Sequence, residues 1–137
     1  MSALQEPSAF PPTHARVLTV DDQEGFRAII GRLVDAARGM DLMAEADSGE
    51  GAVAVARELV PDMVVMDVVM PGIGGIEAAR MIKAEQPAIV VVLVSTTHPD
   101  DLPREAAESG VDDIVWKPDL RPSLLESIWR RCAPESS

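Results

Sequence analysis

Asp21, Asp22, Asp67 and Lys117 are the residues of this 137-residue chain whose types and settings best suit chemistry. Each follows a short apolar run: the acidic pair follows RVLTV (16–20), Asp67 follows MVVM (63–66) and Lys117 follows IVW (114–116). Ser95, Thr96 and Thr97 follow IVVVLV (89–94) in the same way. Taken singly, an Asp after a strand serves as a helix cap, and a lone Ser or Lys is an ordinary surface residue. Taken together, three carboxylates within a few ångströms repel by roughly 1–4 kcal/mol per pair, and something cationic must offset that. A hard divalent ion, Mg²⁺ or Mn²⁺, suits an all-oxygen site and accepts phosphate oxygens as further ligands. Nothing competes for a softer metal: Cys132 is the sole cysteine, and His14 and His98 are isolated along the chain and read as solvated loop residues.

The elements that must position these groups alternate five times. Besides the runs above, LMAEA (42–46) reads as a strand, and the third and fourth runs are nearly all aliphatic, as strands buried on both faces are. Phe26, Ile29, Ile30, Leu33, Val34 and Ala37 form one helical stripe; Ala52, Val53, Ala56, Leu59 and Val60 form a second. Leu124, Leu125, Ile128, Trp129 and Cys132 form a third, after Pro122 in a first turn and with Arg130 and Arg131 at its end. Strand and helix in alternation imply right-handed crossovers and an α/β fold with a doubly wound parallel sheet of five strands. In such sheets ligands sit beyond the carboxyl ends of the strands, where the strand order reverses. That is the rim at which all of the candidate residues fall.

Composition narrows the partners. Lys and Arg number 12 against 23 Asp and Glu, a formal charge of −11, which repels nucleic-acid backbones and anionic lipid surfaces. No apolar run approaches the ~18 residues of a membrane span, and the start of the chain lacks the features of a secretory signal. A cytoplasmic protein with no direct nucleic-acid or membrane partner is expected. Residues 1–14, rich in Pro, Ser and Ala, read as a disordered leader, 15–133 as one domain and 134–137 as a tail. Cys132, among apolar helical neighbours, reads as a packed thiol.

The motifs VLTVDD, MDVVMPGIGG, LVST and WKP occur in an order that resembles the response-regulator receiver domain of two-component signalling, in its stand-alone, chemotaxis-regulator-like form. The separations of 45 positions from Asp22 to Asp67, 28 from Asp67 to Ser95 and 50 from Asp67 to Lys117 are similar to that family's. The resemblance implies a flavodoxin-like (βα)5 fold with strand order 2-1-3-4-5. It also implies that Asp67 accepts a phosphoryl group from a histidine kinase or phosphotransfer protein. Asp22, Asp67 and the Val69 backbone carbonyl would bind Mg²⁺ with Asp21 in support, while Ser95, Thr96 and Lys117 would meet the phosphoryl oxygens. Pro118, often after a cis bond in the family, would shape the last loop. Output would pass through helix four, strand five and helix five to a downstream protein or a second copy. Such a chain is no conventional enzyme: it catalyses only its own phosphorylation and dephosphorylation. The few residues after the last helix suggest that output works through partner contacts.

Three departures bear on mechanism. Thr96 stands where many receivers have Ala and either crowds or bonds the phosphoryl group. Ile114 replaces the usual switch aromatic, and Trp116, on the same strand face, is the candidate to take over the coupling, with core packing as the alternative. Val69 and Thr97, at positions that often orient hydrolytic water, offer neither amide nor carboxylate, so slow self-dephosphorylation is expected. A phosphatase of the haloacid dehalogenase type requires a second Asp two residues after the nucleophile, where this chain has Val69. Nucleotide binding lacks both GxGxxG and GxxxxGK[ST]. A phosphate-independent interaction module is disfavoured by the presence of the full acidic, hydroxyl and lysine set.

Overall fold

Val90, Val91, Val92, Leu93 and Val94 are all buried, and a run with no polar face fits only a strand covered on both sides. In the computed structural model, which describes residues 14–134, that strand lies inside a five-stranded parallel sheet. The chain runs β1 (Ala15–Val20), α1 (Glu24–Ala36), β2 (Met40–Ala46), α2 (Gly49–Leu59), β3 (Met63–Asp67), α3 (Gly74–Glu85), β4 (Val90–Ser95), α4 (Arg104–Ala107), β5 (Asp113–Trp116) and α5 (Pro122–Cys132). Short 3₁₀ turns occupy Pro99–Asp101 and Lys117–Asp119. The strand order is β2-β1-β3-β4-β5, the doubly wound arrangement expected. Of the expected leader and tail, 1–13 and 135–137 lie outside the described residues.

The two-residue period of the strands divides the interior into two cores. Val17, Met63, Val65, Val92, Val94 and Val115 meet Ile30, Val34, Leu125, Ile128 and Trp129 from α1 and α5. Leu18, Val20, Val64, Met66, Val91 and Leu93 meet Ala52, Val53 and Ala56 of α2 and Ala78, Ala79 and Ile82 of α3. Small residues dominate α2 and α3, which lets those helices sit close to the sheet. Ser48 caps α2 by accepting from the Gly51 amide at 2.9 Å, a contact worth about 1 kcal/mol.

Two expectations need correction, and one element for which periodicity gave no bounds is short. Ile29, counted in the first stripe, is 46 % exposed: the buried line of α1 runs through Ile30 and Val34, and Ile29 lies beyond its edge. Leu59 and Val60 are also exposed, because α2 stops at Leu59 and Val60 turns into the left-handed region (φ 47°) ahead of Pro61. Helix four is a single turn of four residues. Pro99, Pro103 and Gly110 punctuate that stretch, leaving no room for a longer helix.

On the side of the sheet away from the rim, Lys83 ties α3 to the chain around β4. Its ammonium donates to the carbonyls of Pro87 at 2.9 Å and Ile89 at 2.8 Å, and to Asp112 Oδ2 at 2.9 Å. Asp112 Oδ2 also accepts from the Val91 amide at 2.8 Å.

Candidate functional site at the carboxyl rim of the sheet

Register brings the candidate residues level. Val20 pairs with Met66, Asp67 with Val94, and Ser95 with Trp116, so four strands end at one height. The chain reverses its winding direction between β1 and β3, and there the end of β1 delivers Asp21 and Asp22 beside Asp67. One oxygen from each of these three carboxylates lies within 4.8 Å of the others. Asp21 is fully buried and Asp67 is 7 % exposed, whereas Asp22 faces solvent.

Lys117 enters from the end of β5. Its Nζ lies 3.3 Å from Asp67 Oδ2 and 3.6 Å from Asp21 Oδ2. One ammonium therefore faces two buried carboxylates, with the exposed Asp22 grouped beside them. Burial pushes the Asp67 carboxyl above the usual carboxylate range, and the nearby Asp21 charge adds to that rise. The Val69 amide, which donates to Asp67 Oδ1 at 3.1 Å, and the Lys117 ammonium pull the other way without cancelling it.

The backbone is shaped closely around the acid. Gly72 and Gly74 take positive φ (83° and 76°), as their place in a turn requires. Gly75 is needed for another reason: a Cβ there would stand 2.0 Å from the Asp67 carbonyl oxygen. Asp21 is held from two directions, its Oδ1 accepting from the Gln23 amide at 2.9 Å and its carbonyl accepting from Arg27 Nη1 at 2.8 Å. Asp21 Oδ2 is buried with no hydrogen-bond partner.

An open cleft of about 550 Å³ covers the cluster, lined by Asp22, Gln23, Asp67, Val69, Met70, Pro71, Thr96 and Lys117. Ser95 is buried at the end of β4 and does not line the cleft; its Oγ accepts from the Thr97 amide at 2.9 Å, which leaves the hydroxyl proton available to donate. Thr97 is exposed outside the cleft, and Val69 is 70 % exposed at its mouth. Pro118 is exposed in the 3₁₀ turn after β5, and its bond to Lys117 is trans: the described residues contain no cis peptide. The turn Lys117–Asp119, closed by Leu120 N–H donating to the Lys117 carbonyl at 3.0 Å, gives that loop its shape instead.

Ile114 and Trp116 differ in their surroundings despite sharing a strand face. Ile114 packs on the α2–α3 core. Trp116 is half-buried at the rim, and its Nε1–H donates to the Thr96 carbonyl at 3.2 Å. The His98 ring, expected to be merely solvated, tilts against the indole at 5.4 Å between centroids and accepts from the Asp100 amide at 3.2 Å.

Two residues that the sequence did not mark for the site belong to it: Phe26, read as part of a helix stripe, and Arg27. Phe26 presents its ring to Lys117, whose Nζ lies 3.7 Å from the ring centroid. Arg27, beside it, holds the Asp21 carbonyl and pairs with Glu45 at 3.0 Å. Their adjacency to the acidic pair was the available signal; the crossing of α1 past the end of β5 was not.

The donor set suits a hard cation. Three carboxylates cluster with one ammonium set against two of them, and a fully buried oxygen of Asp21 lacks a hydrogen-bond donor, an arrangement that Mg²⁺ or Mn²⁺ would complete.

Residues 17–128 match the family model described as the response regulator receiver domain. The chain belongs to that family. The receiver is 43 % identical over 102 residues to the response regulator GacA of Pseudomonas aeruginosa, covering 74 % of this chain and 48 % of that protein. It thus spans about half the length of the curated relatives it matches. Among solved structures, a LuxR-family two-component response regulator from Aurantimonas is similar with a TM-score of 0.76 and 31 % identity, covering 89 % of this chain and 90 % of that one. The response regulator domain of Thermotoga maritima CheB gives a TM-score of 0.74 and 34 % identity, covering 87 % of this chain and 96 % of that one. Among the described residues no helix is long and apolar enough to cross a membrane.

Proposed function

We propose that this receiver is a phosphorylation-dependent signalling switch, with Asp67 as the acceptor and a histidine kinase or phosphotransfer protein as the donor. One observation carries the reading: the Asp67 carboxyl ends β3 with Lys117 Nζ at 3.3 Å and Asp21 and Asp22 grouped beside it, open to a cleft. In the transfer, the phosphorus–nitrogen bond of a phosphohistidine breaks as an Asp67 oxygen bonds to phosphorus, and the imidazole leaves with a proton. Asp22, Asp67 and the Val69 carbonyl would hold Mg²⁺, with Asp21 in support. Bound there, the ion supplies the positive charge that phosphoryl transfer requires more than it requires proton transfer. Lys117 contributes a further cation on the phosphoryl oxygens, and the Ser95 hydroxyl donates to one of them.

The same contacts supply the switch. A dianionic group on Asp67 draws on Ser95 and displaces the loop that follows β4. Trp116 grips that loop through the Thr96 carbonyl, so the displacement is passed to the surface formed by α4, β5 and α5, where a downstream protein or a second copy would dock. Trp116 thereby takes the coupling role for which Ile114 has no aromatic ring.

The test is intact mass after incubation with acetyl phosphate, for wild type and Asp67→Ala, each with Mg²⁺ and with excess chelator. A single phosphoryl gain confined to wild type with Mg²⁺ is expected. No gain from acetyl phosphate or from a phosphohistidine donor would replace this reading with that of a phosphate-independent interaction module.

A further inference from the structure

We infer that Phe26 is a positioning residue for Lys117, its ring face holding the ammonium at the height where an incoming phosphoryl oxygen meets it. The inference rests on the phosphoacceptor reading for its consequence, but the placement itself is a matter of geometry.

Lys117 Nζ stands 3.3 Å from Asp67 Oδ2 and 3.6 Å from Asp21 Oδ2. Charge-assisted N–H···O bonds settle at roughly 2.7–2.9 Å, so the ammonium has not closed onto either carboxylate. Its third neighbour is the Phe26 ring, with the centroid 3.7 Å away. The negative face of an aromatic ring attracts a cation, and more strongly where water is scarce. Here the Lys117 side chain is 14 % exposed. A lysine stem alone is flexible; a ring beneath the ammonium holds it between the acids while leaving N–H groups uncommitted.

The ring itself is well anchored. Phe26 lies in the first turn of α1, packs on the core shared by α1 and α5, and is followed by Arg27, which fixes the Asp21 carbonyl. Ring and guanidinium therefore sit on one turn of α1 that is tied to the Asp21 backbone. The ring carries no charge and no hydrogen-bonding atom, so it orients the ammonium without competing for the phosphoryl oxygens.

The experiment compares wild type, Phe26→Leu and Phe26→Tyr, with Phe26→Met added if the leucine variant melts early. Carbon–proton correlation spectra read the Lys117 ε-methylene, and acetyl phosphate with Mg²⁺ reads the initial phosphorylation rate. In wild type and Phe26→Tyr the ε-methylene protons are expected upfield from the ring current, with equal phosphorylation rates. In Phe26→Leu or Phe26→Met the upfield shift disappears and the rate falls about fivefold, a loss of about 1 kcal/mol. An unshifted ε-methylene in wild type, a full rate without the ring, or a tyrosine variant as slow as the leucine one would overturn the inference. If wild type accepts no phosphoryl group, the acceptor reading falls, while the spectra still decide whether the ring holds the ammonium.

Discussion

Along the β1–β3 side of the rim, Asp21 is fully buried, bonded at Oδ1 and at its carbonyl, and Asp67 is gripped by the Val69 amide and by Gly75 packed against its carbonyl. Along the β4–β5 side, Thr96, Thr97 and His98 are exposed, α4 is one turn long, and the clearest tie is a single indole bond to the Thr96 carbonyl. The first side stores electrostatic tension in a rigid frame. The second has few contacts to break, which is where a conformational change costs least. The contrast teaches that holding acids together and leaving a loop free to shift make opposite demands on the backbone, and that one sheet meets both by ending adjacent strands differently; the proposed readout would use the second.

The sharpest way to break the contrast is Lys117→Met, which leaves Asp21 and Asp67 without their ammonium. A loss of about 3 kcal/mol in urea unfolding with chelator is expected, partly restored by Mg²⁺; a loss well under ~1 kcal/mol would mean that the acids are solvated and the frame is not under tension. Asp67→Asn probes the same tension through pH. Because burial raises the Asp67 pKa in the fold, its contribution to stability is complete below about pH 4 and is lost as pH rises through the folded-state value. The asparagine variant should therefore gain on wild type in urea unfolding between about pH 4 and pH 7, with Mg²⁺ narrowing the gap.

On the β4–β5 side the effects are smaller. Val69→Asn combined with Thr97→Glu should shorten the phosphoryl lifetime about tenfold, read by loss of the phosphorylated mass after gel filtration; an unchanged or longer lifetime would show that these exposed positions do not govern water. Trp116→Phe removes one hydrogen bond and should cost about 1 kcal/mol or less in thermal unfolding. In a Trp129→Phe background the remaining indole should change its emission on phosphorylation, and a silent Trp116 would remove it from the coupling path.

The central strands and the acidic residues were legible because each depends on local pattern: aliphatic runs mark strands covered on both faces, and an ionisable residue at the end of such a run must sit on the rim. Phe26 was legible only as core, since the period that marks a buried helix stripe is the same whether the ring meets a valine or an ammonium. Helix four could not be drawn from periodicity because Pro99, Pro103 and Gly110 leave it one turn. Trp116 was rightly placed on the face of Ile114, but strand alternation does not say where the core stops, and the indole lies past that limit at the Thr96 carbonyl.

The Lys83 ammonium joins two carbonyls from the chain ahead of β4 to a carboxylate from the chain ahead of β5, and the carboxylate is itself bound to the Val91 amide. A chain with a single cysteine has no internal disulfide to staple β4 to its neighbours. Here a side-chain cation performs that stapling, and unlike a covalent bridge it is indifferent to the redox state of its surroundings.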